Sequence, residues 1–249
     1  MSGGRPARSL VGVITLERVA KTKNRTRILH DVSFAARPGR VTGFLGPNGA
    51  GKTSTLRILL GLDRAESGAA LVCGRPYREL SHPLRTVGAL LDGSGAHRAR
   101  TARAHLRWMA ASNGLPAARA DEVLEMVGLS GEARKRAGRY SLGMSRRLGL
   151  AAALLGDPEV LVLDEPVNGL DPGGIRWMRD FVRDRASRGH TVLLSSHLMG
   201  ELAETADDVV VIDRGRVVTQ GALAEVVGDH PSLEDAFFAL TASGAGDPW

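Results

Sequence analysis

Three segments of this sequence carry residue types and spacings suited to handling a nucleoside triphosphate. Gly46-Pro47-Asn48-Gly49-Ala50-Gly51-Lys52-Thr53 fits the pattern G-x-x-x-x-G-K-[ST], with Ser54 following directly. Its glycines let backbone N–H groups converge on phosphate oxygens, Lys52 adds a compact cation, and the Thr53 hydroxyl is a magnesium ligand. Nearly every other basic residue of the chain is arginine, so the lysine here matches a point charge to a phosphate. Further on, Leu161-Val162-Leu163 leads into Asp164-Glu165, and Thr191-Val192-Leu193-Leu194-Ser195 leads into Ser196-His197. Asp164 has the chemistry to hold magnesium, Glu165 to orient or deprotonate an attacking water, and His197 to contact a γ-phosphate. Taken singly, Asp164-Glu165-Pro166 also reads as a solvated turn and His197 as a capping or core histidine. Their order behind a phosphate loop favours the catalytic reading.

The flanking patterns say which elements must position these groups. Arg40 to Leu45 reads as a short apolar strand and Thr53 to Leu60 as a helix with Leu56, Leu59 and Leu60 on one face, the strand–loop–helix setting a phosphate loop requires. Such a helix turns its unpaired N-terminal amides toward the phosphates. Val160 to Leu163 is apolar without alternation, as a strand buried on both faces should be. Ligands of open α/β sheets bind beyond the carboxyl ends of the strands, which puts Asp164 in the same crevice as Lys52.

Together these segments resemble the ATP-binding cassette (ABC) ATPases, the motor subunits of ABC transporters, over about Val13 to Gln220. The family signature, usually L-S-G-G-Q, corresponds to Tyr140-Ser141-Leu142-Gly143-Met144, where Ser141 and Gly143 match and the other three do not. The resemblance also implies a D-loop at Asn168-Gly169-Leu170-Asp171 and a switch histidine at His197. It implies ATP and Mg2+ as cofactors, with magnesium held by Thr53, Asp164 and the residue at the Q-loop position, here Asp92 in place of glutamine. Ser141, Gly143 and Asp171 would meet nucleotide across a head-to-tail pair of cassettes, most simply a homodimer.

The fold expected is therefore α/β, a P-loop NTPase core with an antiparallel β-subdomain and an inserted helical subdomain. Residues 10–240 form this domain: 10–92 and 148–228 make the β-subdomain and the α/β core, 93–147 the helical part, with 1–9 and 241–249 as flexible tails. Strands are expected at Val11 to Leu16, Val32 to Ala36, Leu71 to Cys73 and Asp208 to Ile212. Helices are expected at Ala102 to Ala111, Asp121 to Val127, Gly174 to Ala186 and Leu233 to Leu240.

At 249 residues and 43% hydrophobic the chain can bury a sizeable core. Its longest apolar run, Leu148 to Leu155, falls short of the roughly 18 residues that span a bilayer. The N-terminal stretch lacks the apolar segment of a secretory leader, so the chain should stay in the cytosol. The single cysteine, Cys73, excludes an intrachain disulfide and reads as a small buried strand residue. The net charge of +6 is spread among arginines with few aromatics between them, which argues against direct nucleic-acid binding.

The resemblance implies an ATP-hydrolysing subunit on the cytoplasmic face of the plasma membrane, working with a separate multi-span membrane subunit. The Met144 signature and the Val87 to Asp92 segment resemble cassettes of antibiotic, multidrug or peptide exporters. A cassette ATPase acting in DNA repair or translation, or a regulatory module with a dead site, are the competing readings. The family's adenine-stacking aromatic falls near Thr22-Lys23-Asn24, where there is none. Stacking of that kind is worth about 1–3 kcal/mol by analogy with nucleic-acid platforms. Turnover measured side by side with ATP and GTP should accordingly be similar, and a strong ATP preference would contradict this.

Overall fold

The computed structural model describes residues 13–91 and 94–242. Asp92 and the residues beyond either end lie outside it. Two sheets organise the chain. An antiparallel sheet has the order β2-β1-β4, from β1 (Ile14–Lys23), β2 (Thr26–Ala36) and β4 (Ser67–Val72). A second sheet has the order β5-β6-β7-β3-β8-β9, from β3 (Val41–Leu45), β5 (Val87–Leu90), β6 (Val160–Asp164), β7 (Thr191–Ser196), β8 (Asp208–Asp213) and β9 (Arg216–Ala222). Its first five strands run parallel and β9 closes the edge antiparallel to β8. The helices are α1 (Lys52–Leu59), α2 (Pro83–Thr86), α3 (Ala102–Ser112), α4 (Arg119–Met126), α5 (Leu142–Ala153), α6 (Pro172–Ser187), α7 (Met199–Ala203), α8 (Leu223–Val227) and α9 (Leu233–Ala242).

Period-two alternation sends successive strand residues into two separate cores. In β6, Leu161 and Leu163 pack with α3 to α6, while Val160 and Val162 face α1 and the antiparallel sheet. In β8, Val209 and Val211 take the first side, Val210 and Ile212 the second. Phe34 of β2 meets Phe44 of β3 with ring centroids 5.1 Å apart, joining the two sheets.

Several boundaries differ from the sequence reading for identifiable reasons. The strands expected at Val11 to Leu16 and Val32 to Ala36 belong to one long hairpin. Its tip pairs Lys23 with Thr26 across Asn24 and Arg25, both at positive φ (49° and 66°), the geometry that suits a twisted two-residue hairpin. Register shifts between Leu16 and Thr22 break the alternation that marks a strand in sequence. Cys73 is not a buried strand residue. β4 stops at Val72, and Cys73 (φ 50°) and Gly74 (φ 74°) make a tight turn closed by reciprocal Val72 and Arg75 hydrogen bonds, leaving the thiol side exposed. At the other end, Thr241 and Ala242 continue α9 instead of starting a tail, with the Thr241 hydroxyl donating to the Phe237 carbonyl at 2.8 Å.

The strand that carries the phosphate loop is clamped at its start. Asp208, only 6% exposed at the head of β8, accepts from Arg37 through both carboxylate oxygens and from Arg40 at 2.8 and 2.9 Å. Burial pushes this carboxyl up, but the hydrogen bonds and charges of the two arginines outweigh it and hold it below the ordinary carboxylate range. A depressed native pKa gives stability above the unfolded value that is lost as acid titrates the native group. Asp208→Ala should cost about 2 to 3 kcal/mol in denaturant unfolding at neutral pH, with the gap to wild type closing in strong acid.

Candidate functional site

The carboxyl ends of β6, β7 and β3 are neighbours in the sheet, so the segments leaving these three strands meet at one edge. Register aligns Asp164 with Ser195 and Leu45 with Ser196. Asp164 has the same parity as Val160 and Val162, and Ser195 the same as Leu193, so both point to the side occupied by α1.

The loop between β3 and α1 is shaped by close approach. A Cβ on Gly46 would stand 2.3 Å from the Ile212 carbonyl oxygen, and one on Gly51 (φ 108°) 2.6 Å from Leu29 Cδ2. Pro47, Asn48 and Gly49 form an exposed crest, while Ala50 is buried, its N–H donating to the Pro47 carbonyl (3.2 Å) and its carbonyl accepting from the Gly215 N–H (3.0 Å). No side chain caps α1 at Gly51, so no side-chain acceptor competes with an anion for the first amides of the helix. Thr53 and Ser54 begin that helix.

Lys52 is 6% exposed and its Nζ donates to the carbonyls of Gly46 (2.6 Å) and Pro47 (3.3 Å), 3.6 Å from Glu165 Oε1. Glu165 Oε2 lies 2.8 Å from His197 Nδ1, so lysine, glutamate and histidine form one continuous chain. Asp164 is 5% exposed. Its Oδ2 accepts from the Thr53 hydroxyl at 2.7 Å and its Oδ1 from the Ser195 hydroxyl. The Glu165 N–H donates to Ser195 Oγ (3.0 Å) and to the Ser195 carbonyl (3.2 Å), and Glu165 itself sits at φ 49°, a conformation that costs a non-glycine residue about 1–3 kcal/mol.

The remaining candidates lie elsewhere. Ser141 caps α5, its hydroxyl accepting from the Met144 N–H at 3.2 Å, and Gly143 is in the first turn. Asp171 caps α6 by accepting from the Gly174 N–H at 2.8 Å, with Pro172 at the first helical position. These two helix starts touch through Leu142 against Gly169. Among the described residues no hydrogen bond or ion pair connects Ser141, Gly143 or Asp171 to Lys52, Thr53, Asp164, Glu165 or His197. Asp92, the remaining metal candidate, is outside the described residues.

Two features went unread in the sequence. Ser195 looks there like an ordinary strand-end polar residue, and only the strand pairing places it between the acids. The other is a groove of about 410 Å³ lined by Leu60, Leu62, Tyr77, Leu91, His105 and Trp108 among others. Trp108 is half exposed, and Arg100 lies 4.6 Å above its ring. His105 is 4% exposed with neither ring nitrogen partnered. Burial, helped by the charge of Arg100, lowers its pKa. A tryptophan three residues after a histidine on one helix face was the available signal.

The donors suit a small hard cation. Thr53 Oγ1 and the Asp164 carboxylate are oxygen ligands, few in number, which fits magnesium that completes its shell from substrate phosphates and water.

Comparison with known proteins agrees with this geometry. The family model described as ABC transporter matches residues 29–168, over half of the chain. An uncharacterised ABC transporter ATP-binding protein of Bacillus subtilis, YhcH, is 40% identical over 229 residues, 91% of this chain and 74% of that protein. The bacitracin transport ATP-binding protein BcrA of Bacillus licheniformis is 39% identical over 88% of this chain and 71% of its own length. The Nod factor export ATP-binding protein I of Burkholderia pseudomallei is 39% identical over 85% of this chain and 71% of its own. Among solved structures, an ATP-binding subunit of an ABC transporter superposes with a TM-score of 0.83 over 92% of this chain and 99% of that one at 24% identity, a likeness of fold. Family model, relatives and fold agree: this chain belongs to the ABC transporter ATP-binding proteins and is an ATPase of that family.

Proposed function

We propose that this chain is the ATP-hydrolysing subunit that powers a membrane exporter, of an antibiotic, drug or peptide in keeping with its bacitracin and Nod factor relatives. The observation that carries this is the meeting of Lys52, Thr53, Asp164, Glu165 and His197 at the carboxyl ends of the central parallel strands, beside a glycine loop.

In this reading the loop amides of 46 to 54 and Lys52 hold the phosphates. Lys52 turns from the Gly46 and Pro47 carbonyls to the incoming γ-phosphate, which also frees Glu165 from its neighbour. Thr53 and Asp164 would hold magnesium, which would supply neutralisation of charge on the phosphoryl group. Glu165 then orients water and takes its proton, while His197, already hydrogen-bonded to Glu165, fixes that carboxylate and contacts the γ-phosphate. Ser141 and Gly143, which no hydrogen bond or ion pair joins to this crevice among the described residues, serve the nucleotide of a second cassette packed head to tail, so that each site is shared. ATP favours the closed pair because it binds that state more tightly, and hydrolysis removes the bridge.

A cytoplasmic segment of a separate multi-span membrane subunit occupies the Trp108 groove. An apolar wall with the Arg100 guanidinium at its rim suits a segment carrying an acidic residue. The groove reaches Leu91, whose carbonyl accepts from Arg146 of α5 at 3.0 Å, so it shares a hydrogen bond with the helix that begins at Ser141. Residues 93–147 are the membrane-facing helical part in this scheme, and the chain sits peripherally on the cytoplasmic membrane face. No helix among the described residues is long and apolar enough to cross a membrane.

Glu165→Gln should leave ATP binding intact, lower kcat by about 10²- to 10⁴-fold and accumulate an ATP-bound dimer in size-exclusion chromatography. Wild-type turnover in that variant would refute the role of Glu165. Tagged chain isolated from membranes should bring down a multi-span hydrophobic protein. Trp108→Arg should lose that protein while retaining nucleotide binding. Recovery of ribosomes or DNA instead would overturn the transport assignment.

A further inference from the structure

We infer that Ser195 is a positioning residue for the hydrolytic site, locking the Asp164 carboxylate and the Glu165 main chain into one hydrogen-bonded unit. This rests on the roles proposed for Thr53, Asp164 and Glu165, and assigns a role to a residue outside that set.

Ser195 is fully buried. Its hydroxyl has one proton, and that proton goes to Asp164 Oδ1. The oxygen then accepts, and the Glu165 N–H occupies it at 3.0 Å, with the Ser195 carbonyl sharing the same donor at 3.2 Å. One residue thus holds both acids, the first through its carboxylate and the second through its backbone. The neighbouring Ser196 does something else: its hydroxyl accepts from the Leu198 N–H at 2.9 Å and shapes the turn that presents His197.

The consequence for Asp164 is orientation. With Oδ1 fixed by Ser195 and Oδ2 by Thr53, the carboxylate cannot rotate, and the Thr53 proton is committed to Oδ2. The Thr53 lone pairs are left to face a cation. For Glu165 the consequence is backbone register. Its positive φ of 49° turns the chain sharply after β6 and aims the side chain at Lys52 and His197, and the two bonds to Ser195 are what hold that turn against the adjacent strand. Partners behind metal ligands typically contribute 10- to 100-fold to metal affinity or activity. Phosphate binding without metal depends on the loop amides and Lys52, none of which Ser195 touches.

The test compares Ser195→Ala, Ser195→Thr and Ser195→Val. Threonine and valine bury the same shape and differ by the hydroxyl, so a packing effect moves both alike. Binding of a fluorescent ATP analogue is measured in EDTA and in magnesium, alongside the magnesium dependence of turnover. The expected result is unchanged binding in EDTA for all three. With alanine and valine, the extra affinity gained on adding magnesium should fall, half-maximal turnover should need about tenfold more magnesium, and kcat should drop 10- to 100-fold; threonine should stay near wild type. Unchanged magnesium dependence in alanine and valine would overturn the proposal, as would equal losses in threonine and valine. Failure of the wild-type chain to bind the analogue more tightly with magnesium would instead refute the underlying assignment of Thr53 and Asp164.

Discussion

A carboxylate with 5% of its surface exposed, set between parallel strands, has to be compensated by donors on both oxygens, and Asp164 finds them in two hydroxyls. One comes from 111 residues earlier at the start of α1, the other from 31 residues later on β7. Meeting that requirement fixes much else. β6 and β7 must be neighbours, β3 must follow, and Asp164 and Ser195 must share a parity that points away from the larger core. Leu161, Leu163, Val192 and Leu194 fill the larger core, which leaves Val160, Val162 and Leu193, with the two polar residues of the same parity, on the opposite face. The polar site and the two apolar cores are therefore one arrangement, since a one-residue slip of either strand would exchange the faces of both.

The molecule separates rigid from accessible parts. The loop around Ala50 is tied to the β8–β9 turn through Gly215, which itself accepts from the His30 N–H at 2.8 Å, so both sheets support the phosphate cradle. By contrast, the helix starts at Ser141 and Asp171, the exposed Leu142 and the groove with Trp108 stand outside this support. The loop that would hold phosphate is braced from beneath and open at its crest, and Ser141, Leu142 and Asp171 face solvent.

Much of this was legible in sequence where a short pattern carries its own context. Strand, glycine loop and helix read correctly because Phe44 and Leu45, the glycines and Leu56 are local to one another. Asp164-Glu165 read as a strand end because the apolar run stopped abruptly. The first hairpin was cut short because bulges destroy period two. Cys73 was misplaced because a tight turn with its first residue at positive φ looks like the end of a strand. β9, with alternating exposed residues at a sheet edge, offers too little apolar contrast to read. Ser195 and the His105 groove escaped for a deeper reason. Their meaning lies in pairings between residues tens of positions apart, which no local pattern records.

β3 lies between β7 and β8, both of which come about 150 residues or more after it in the chain, and it is secured to the second of them at its head by Arg40 and Asp208 and beyond its tail by Ala50 and Gly215. Synthesis proceeds from the N-terminus. A nascent chain emerged only as far as β6 already contains every residue of the phosphate loop, yet neither strand that flanks β3 has left the ribosome, so the nucleotide cradle is completed only after β8 has followed.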